Sequence, residues 1–257
     1  MTMSSKKRVY GWHPSRPDHR DEKHKYAAKL MRARLLPKSV DLRAHDNPIY
    51  DQGDLGSCVG NGSGDAWQFA LKVEGRPAPL PSRLFVYYNG RSIENTIKSD
   101  SGLQIRDGLK ALAKWGCCDE TIWPYDPSKF TQKPPAIAYT EAAKHISTSY
   151  HSVNQNLNEM KTCLADGFPI VGGFTVYDSF ESDEVAKTGI VPMPGKDENS
   201  QGGHCVVIVG YDDARSCFII RNSWGTDWAD HGYCYMPYDY WTNPNLASDF
   251  WTVRAVN

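Results

Sequence analysis

A short run of turn-forming residues, from Gln52 to Cys58, delivers a cysteine to the predicted first turn of a helix. Gly53 and Gly56 allow the tight backbone path that this delivery needs. Exposed backbone N–H groups and the helix dipole at such a position favour a thiolate. Cys58 is therefore a candidate nucleophile. A thiolate nucleophile needs an imidazole and a third group that orients it, both distant in sequence but adjacent in the fold.

A histidine at the entrance of an apolar strand is the candidate imidazole. His204 follows Gly202 and Gly203, which leave room beside the ring, and the strand continues to Tyr211. An isolated histidine at a strand end is more often structural than catalytic. The next predicted strand ends at Asn222, however, and a side-chain amide there can accept a hydrogen bond from a ring nitrogen of a neighbouring histidine. Together the three residue types predict a Cys–His–Asn site.

The order and spacing of these motifs resemble the papain-like cysteine peptidases over most of residues 35 to 257. That family carries its nucleophile in a Gln-Gly-x-x-Gly-Ser-Cys run, and the run from Gln52 to Cys58 matches it. His204 lies 146 residues after Cys58, within the roughly 130 to 150 residues typical of the family. Asn222 lies 18 residues further on and begins an Asn-Ser-Trp-Gly sequence, as in family members. The resemblance rests on all three motifs in this order.

The resemblance implies an α+β fold of the papain-like two-lobe type. One lobe is helical, the other is antiparallel and β-barrel-like, and the active-site cleft lies between them. On this basis residues 1–35 form a basic N-terminal arm, residues 36–136 the helical lobe with the nucleophile, and residues 137–257 the β lobe with the catalytic histidine and asparagine. We therefore expect the nucleophile to face the histidine across the cleft.

The resemblance also assigns catalytic roles to four residues. Cys58 attacks the scissile carbonyl as a thiolate, and His204 pairs with it as an imidazolium and then protonates the leaving amine. Asn222 orients the imidazole without neutralising its charge. Gln52 lies six residues before the nucleophile, as in the family. Its side-chain amide is expected to stabilise the oxyanion together with the Cys58 backbone N–H.

Three further residues are expected at the substrate-binding surface from the same resemblance. Gly102 falls where relatives have a glycine strip that pairs with the substrate backbone. Gly203, the residue before the histidine, lines the main specificity pocket and adds neither charge nor bulk. This predicts an apolar or aromatic side chain two positions before the cleaved bond. Trp224 shields the hydrogen bond between asparagine and histidine from water, and it can be an ordinary core tryptophan at the same time.

The predicted function is a cysteine endopeptidase that hydrolyses peptide bonds by a thiolate–imidazolium mechanism. One alternative is a catalytically quiet protein of the same fold that binds a partner or a small ligand in an occluded cleft. Another is an acyl transferase that uses the same three residues on an amine. No paired-histidine insertion of dipeptide-releasing relatives is visible. No cofactor or metal is expected, since the adjacent Cys117 and Cys118 lack a second ligand pair at metal-binding spacing.

The charge of the chain is unevenly distributed. Residues 1–36 carry ten Lys and Arg against three acidic residues, a balance of +7, whereas the whole chain has a formal charge of −1. The N-terminal arm also contains aromatic residues such as Tyr10 and Trp12, which are costly to leave in water. We therefore expect the arm to pack on the acidic body near the cleft and to limit access, as a short propeptide or regulatory segment.

Overall composition excludes several other classes of function. The near-neutral balance gives no reason to expect binding to nucleic acid or membrane. The partners that the resemblance implies are a peptide or protein substrate, with the arm in cis as a possible inhibitor. No apolar run has the length of a secretory signal or a bilayer-spanning segment. The seven cysteines are an odd number without paired spacing, and Leu55 stands where secreted relatives have a disulfide cysteine. These features favour a cytoplasmic or bacterial protein, or export without a classical signal.

Hydrophobic periodicity and turn residues predict the secondary structure. Helices are expected from about Asp21 to Leu36, from Cys58 onward, over Arg83–Glu94 with Ser82 as N-cap, over Leu103–Trp115 and over Leu157–Asp166. Strands are expected at Val40–Arg43, Ile137–Tyr139, Phe168–Val176, Cys205–Tyr211, Cys217–Arg221, Gly232–Met236 and Phe250–Val253.

Overall fold

The computed structural model describes residues 8–23 and 36–256. The helix expected from Asp21 to Leu36 falls mainly on residues 24–35 and so lies outside the described residues. Seven α-helices are present in the described part: Cys58–Val73 (α1), Arg83–Glu94 (α2), Ile105–Trp115 (α3), Ala136–Ala142 (α4), Leu157–Ala165 (α5), Asp183–Thr188 (α6) and Tyr238–Thr242 (α7). The strands are Ser39–Asp41 (β1), Ser147–Ser152 (β2), Ile170–Tyr177 (β3), Ser200–Asp212 (β4), Cys217–Arg221 (β5), Tyr233–Pro237 (β6) and Ala247–Val256 (β7).

Helix α1 is buried along most of its length despite its three glycines. Each glycine lowers intrinsic helix stability by about 1 kcal/mol relative to alanine. A Cβ at Gly60 would lie 2.9 Å from the carbonyl oxygen of Arg83, and one at Gly62 would lie 3.3 Å from the Cys205 sulfur. The glycines therefore allow α2 and β4 to pack directly against α1, and this burial compensates for their low helix propensity.

The two helices that follow begin and end with recognisable signals. The Ser82 hydroxyl accepts a hydrogen bond from the Phe85 backbone N–H, which confirms the predicted N-cap of α2. Helix α3 is followed by Gly116, which caps its C-terminal end and has a φ of +75°, in the left-handed region. Glycine adopts this conformation without the steric cost that other residues meet. The two predicted helices are confirmed to within two residues.

The strands form one antiparallel sheet, in the order β2-β7-β3-β4-β5-β6, with β1 paired to β4. In the register of β3 with β4, Phe174 is opposite His204, and in that of β4 with β5, Val207 is opposite Arg221. The central strand β4 is buried from His204 through Tyr211. The pairing places the start of the apolar part of β4 beside the end of β5, where Asn222 follows.

One strand prediction is wrong. Residues Ile137–Tyr139 lie within helix α4, which follows Pro135, and the helix buries Ala138 and Ala142 on one face. A proline is compatible with the residue just before a helix but not with its interior, and a spacing of four residues returns to the same face. Three apolar residues are too few to distinguish a strand from a short helix. The segment boundaries at 35/36 and 136/137 stay predictions.

The packing of the helices and the sheet creates two large buried clusters. The first lies against the sheet and includes Phe174, Ile208 and Phe218. The second centres on the helices and includes Trp67 and Leu109, together with residues of β3, β4 and β7. Within residues 8–23 and 36–256, no helix is long and apolar enough to cross a membrane.

Candidate active site

His204 and Asn222 are joined by a short hydrogen bond. The His204 Nε2 atom lies 2.8 Å from the Asn222 Oδ1 atom, and both residues are almost fully buried. The same oxygen accepts the Ser223 backbone N–H at 2.8 Å, which identifies it as the oxygen of the amide. His204 Nε2 therefore carries a proton, and its other ring nitrogen, Nδ1, has no hydrogen-bond partner among the described residues. This tautomer leaves Nδ1 able to accept a proton.

Trp224 packs on the His204 ring and is itself held by two further aromatic rings. Trp224 stacks on the His204 ring with centroids 5.1 Å apart and an interplanar angle of 27°. Trp228 and Phe180 pack edge-on against Trp224 at 5.1 and 5.4 Å. The shielding expected of Trp224 agrees with this arrangement. The tryptophan also belongs to the core cluster against the sheet.

Cys58 is the first residue of α1 and is fully buried. Burial raises the pKa of its thiol to about 11, although backbone N–H groups of Cys205, Gly11 and Val59 act in the opposite direction. Burial also lowers the pKa of His204 to about 4, although the hydrogen bond that its ring donates to Asn222 acts in the opposite direction. In this arrangement the thiol and the neutral imidazole are therefore favoured over the predicted ion pair.

The Gln52 side chain is held in one orientation. Its Oε1 atom accepts from the Ser223 hydroxyl at 2.6 Å, and its backbone N–H donates to the Ser223 carbonyl at 2.9 Å. Its Nε2 atom donates to the Leu55 carbonyl at 3.0 Å and lies 3.4 Å from the carbonyl oxygen of Val9. The amide N–H expected to stabilise an oxyanion thus faces a backbone carbonyl of the N-terminal arm.

The arm crosses the site as an extended segment paired on both sides. The Trp12 backbone N–H donates to the Gly203 carbonyl at 2.9 Å, and the Leu103 N–H donates to the Gly11 carbonyl at 2.7 Å. Trp12 and Leu103 form a parallel bridge. A Cβ at Gly102, where φ is +73°, would lie 2.8 Å from the Gly11 Cα atom. Both glycines expected to bind substrate therefore contact the arm.

The indole of Trp12 fills a pocket beside Gly203. A Cβ at Gly203 would lie 2.7 Å from the ring, and one at Gly173 would overlap it. The indole Nε1 donates to the Asp249 carboxylate at 3.2 Å. The same carboxylate oxygen accepts from the backbone N–H and the hydroxyl of Ser15, at 3.0 and 2.9 Å. The arm thus has a buried aromatic anchor and a charged hydrogen-bond acceptor beside it.

Sequence reasoning missed two residues of this pocket. Gly173 lies inside a strand, and a glycine in that position often marks the close approach of another group. That signal was present but was not used. Asp249 has a φ of +69°, which is uncommon for a residue other than glycine. No sequence pattern indicates that its carboxylate faces the arm.

On the other side of the site, Tyr10 packs against the His204 ring and Arg8 packs against the Trp224 ring. The Tyr10 ring meets His204 edge-on at 5.8 Å, and its hydroxyl donates to the Glu181 carboxylate. Burial raises the pKa of Tyr10 far above its usual range. The Arg8 guanidinium lies 4.6 Å from the ring centroid of Trp224. These contacts exclude water from the imidazole, which explains its lowered pKa.

The arm is anchored again beyond the cleft. The carboxylate of Asp21 lies 2.9 Å from the guanidinium of Arg106, whose side chain is only 7% exposed. The Glu22 carbonyl accepts the Ser152 backbone N–H at 2.8 Å, at the end of β2. Described residues that could ligate a metal form no group of three or more.

The chain is similar in sequence and fold to known proteins. A sequence model described as "Papain family cysteine protease" matches residues 36–251. The "Uncharacterized peptidase C1-like protein L477" of Acanthamoeba polyphaga mimivirus is 42% identical, over 100% of this chain and 90% of that protein. Cysteine proteinase 3 of Entamoeba histolytica is 28% identical, over 80% of this chain and 64% of that protein. The crystal structure of xylellain, a cysteine protease from Xylella fastidiosa, is 38% identical, has a TM-score of 0.89 and covers both chains fully. The chain therefore belongs to the papain family of cysteine proteases.

Proposed function

We propose that this chain is a cysteine endopeptidase whose activity is restrained by its own N-terminal arm. The observation that carries the proposal is the 2.8 Å bond between His204 and Asn222, together with a buried cysteine at the start of α1. Membership of the papain family supports hydrolysis of peptide bonds in peptides or proteins. Each of the three residues then has a defined role in catalysis.

In the open enzyme, water and substrate replace the arm and restore solvation to the catalytic groups. His204 Nδ1 takes the proton from Cys58, and Asn222 holds the resulting imidazolium by its other nitrogen. The thiolate attacks the carbonyl carbon. The resulting oxyanion accepts hydrogen bonds from the Gln52 side-chain amide and from the Cys58 backbone N–H. Loss of one such donor typically costs about 2.7 to 4 kcal/mol of transition-state stabilisation. His204 then protonates the leaving amine, and water hydrolyses the acyl-enzyme.

The arm occupies the site with its backbone groups engaged. The backbone N–H of Gly11 interacts with the Cys58 sulfur, and the Gly11 carbonyl accepts the Leu103 N–H. A substrate therefore has to displace these contacts before it reaches the sulfur. This supports inhibition in cis, by either a removable propeptide or a reversible regulatory segment.

The docked arm also supports the expected substrate preference. Trp12 fills the pocket beside Gly203, so an aromatic side chain fits there, two positions before the cleaved bond in a substrate. The Asp249 carboxylate adds a hydrogen-bond acceptor at the indole nitrogen. Among aromatic side chains, tryptophan should therefore be accepted at least as well as phenylalanine.

The test is a peptidase assay combined with labelling of the nucleophile. We expect an epoxide-type thiol inhibitor to label Cys58, and a fluorogenic peptide to be hydrolysed by the arm-released protein but not by its Cys58→Ala variant. Labelling without hydrolysis under any condition would favour the quiet binding protein. A product that carries an added amine would favour acyl transfer. Hydrolysis that survives Cys58→Ala would refute the proposed mechanism.

A further inference from the structure

A buried ionic cluster lies directly behind the catalytic residues. Arg221, the last residue of β5, immediately precedes Asn222, and its side chain is 2% exposed. Its Nε atom lies 2.9 Å from an oxygen of Asp65, and its Nη1 atom lies 3.3 Å from one of Asp46. Asp65 lies on α1, seven residues after the nucleophile, and is 1% exposed. One cation between two carboxylates in the interior requires well-defined geometry.

This cluster connects three segments that carry catalytic groups. Arg221 also donates to the backbone carbonyls of Asn47 and Pro48, at 2.8 and 2.6 Å. Those residues lie on the segment that leads to Gln52. The Asn47 side-chain amide in turn donates to Asp65 at 2.7 Å. The nucleophile helix, the segment before the oxyanion donor and the end of β5 are thus joined through one guanidinium.

A small cavity of mixed lining lies beside the cluster. Its volume is about 10 Å³, and its lining combines the polar residues Asp65, Arg221 and Asn222 with apolar ones such as Val206. A cavity of roughly this size holds one water molecule where polar groups can bond to it. Within residues 8–23 and 36–256, the Asp65 Oδ2 and Asn222 Nδ2 atoms are both buried without a hydrogen-bond partner. Because the Asn222 oxygen is engaged by His204 and Ser223, the unpaired donor of its amide is the Nδ2 group.

We propose that Asp65 is a positioning residue for Asn222, acting through Arg221 and one water molecule held in this cavity. The water accepts a hydrogen bond from Asn222 Nδ2 and donates one to Asp65 Oδ2, while Arg221 fixes the end of β5. The amide is then held with its oxygen toward His204. The inference rests on the proposed function, because it assigns Asn222 the task of orienting the imidazole.

The role differs from simple support of the fold. A merely structural ion pair would affect stability and leave the His204–Asn222 bond unchanged in the folded protein. A positioning role predicts that the ring N–H of His204 becomes less protected from exchange once Asp65 is removed. This proton is observable in the full-length protein by NMR, whether or not the arm is docked.

The experiment measures the exchange rate of the His204 Nε2 proton in the full-length chain. The resonance is assigned by its loss in His204→Ala, and Asn222→Ala sets the maximum effect. We expect Asp65→Ala to accelerate exchange about tenfold or more, since the amide loses its fixed orientation. Asp65→Asn retains the volume but replaces one of the two carboxylate oxygens by an NH2 donor and should accelerate exchange about threefold. If the alanine variant does not fold, the asparagine variant provides the test of the positioning role.

The matched control is Lys161→Met. Lys161 on α5 forms a partly buried ion pair of 2.7 Å with Asp213, and the substitution removes this pair. It should leave the exchange rate unchanged within about twofold, because neither partner contacts Asn222. Exchange in the folded Asp65 variants within twofold of the wild type would overturn the positioning role. A chain that shows the expected exchange but no peptidase activity would refute the proposed function and leave the positioning role standing.

Discussion

The substitution Gly11→Ala should release the arm through a single methyl group. A Cβ at Gly11 would overlap the carbonyl group of Gly56 and lie 2.7 Å from its Cα atom. These are backbone atoms of the turn that precedes the nucleophile, so no flexible side chain can move aside. The docked arm has to shift away from Cys58 or leave the cleft.

The size of the effect follows from the cost of overpacking. Forcing one extra methyl group into a well-packed region typically costs about 1 to 3 kcal/mol. Because every 1.4 kcal/mol corresponds to a factor of ten, the population of open enzyme should rise roughly 5- to 150-fold. The catalytic groups themselves are unchanged, so peptidase activity should rise in the same proportion while the open form remains a minority.

The assay compares full-length Gly11→Ala with the wild type on a fluorogenic peptide, and follows alkylation of Cys58 in parallel. Gly195→Ala is a suitable control, because its Cβ would meet only the flexible Glu198 side chain, at 3.3 Å, in an exposed loop. The control should behave like the wild type. If Gly11→Ala stays within twofold of the wild type in both assays, the arm does not limit access in the way described here.

Three further predictions concern the charges around the site. Burial raises the pKa of Cys58 to about 11 beneath the arm. Alkylation of Cys58 should therefore be slow at neutral pH in the wild type and rapid in Gly11→Ala, and equal pH profiles of the alkylation rate in the two proteins would contradict this. Asp249→Ala removes an acceptor of three arm hydrogen bonds and should weaken arm docking by about 1.5 to 3 kcal/mol. The arm should then be cleaved faster by an added protease, and an unchanged rate of proteolysis would argue against this anchor. Burial raises the pKa of Asp65 above its ordinary value, although Arg221 acts in the opposite direction, so the folded chain holds a proton more tightly than the unfolded chain and stability should fall as pH rises above about 4. Asp65→Asn should flatten this dependence in thermal unfolding, and identical curves for the two proteins would refute it.

The elements that sequence reasoning located well are those with strong local signals. The strand Cys217–Arg221 has the predicted bounds, and Ser82 caps its helix as expected. The short segment at Ile137–Tyr139 was misassigned because three apolar residues without periodicity fit either structure. Its helical state depends on burial of alanines against neighbouring helices, which only the folded chain reveals.

Residues of the candidate site also differ in how well the sequence predicts them. His204 and Asn222 carry sequence motifs, and the structure brings them together. Asp65 and Arg221 have no motif, since charged residues in a sequence are usually exposed. Their burial arises from pairing between segments more than 150 residues apart, and no local pattern encodes it.

The docking of the arm was anticipated for a physical reason that the described residues bear out. Tyr10 and Trp12 are costly to leave in water, and both are packed into the site. Tyr26, Leu30 and Met31 are further apolar or aromatic residues of the arm, and they lie outside the described residues. The direction of the arm and the atoms that it presents to Cys58 could not be read from composition, because both depend on pairing with Gly203 and with Leu103.

The most direct test of the central claim is the catalytic efficiency of a chain that begins at Leu36, measured beside the full-length protein. The shorter chain retains β1, which pairs with β4. On a peptide with an aromatic side chain two positions before the cleaved bond, its kcat/KM should exceed that of the full-length protein by at least about tenfold, and Cys58→Ala should abolish hydrolysis in both. Equal efficiency of the two folded chains would contradict restraint by the arm, and hydrolysis that persists without Cys58 would contradict its role as the nucleophile.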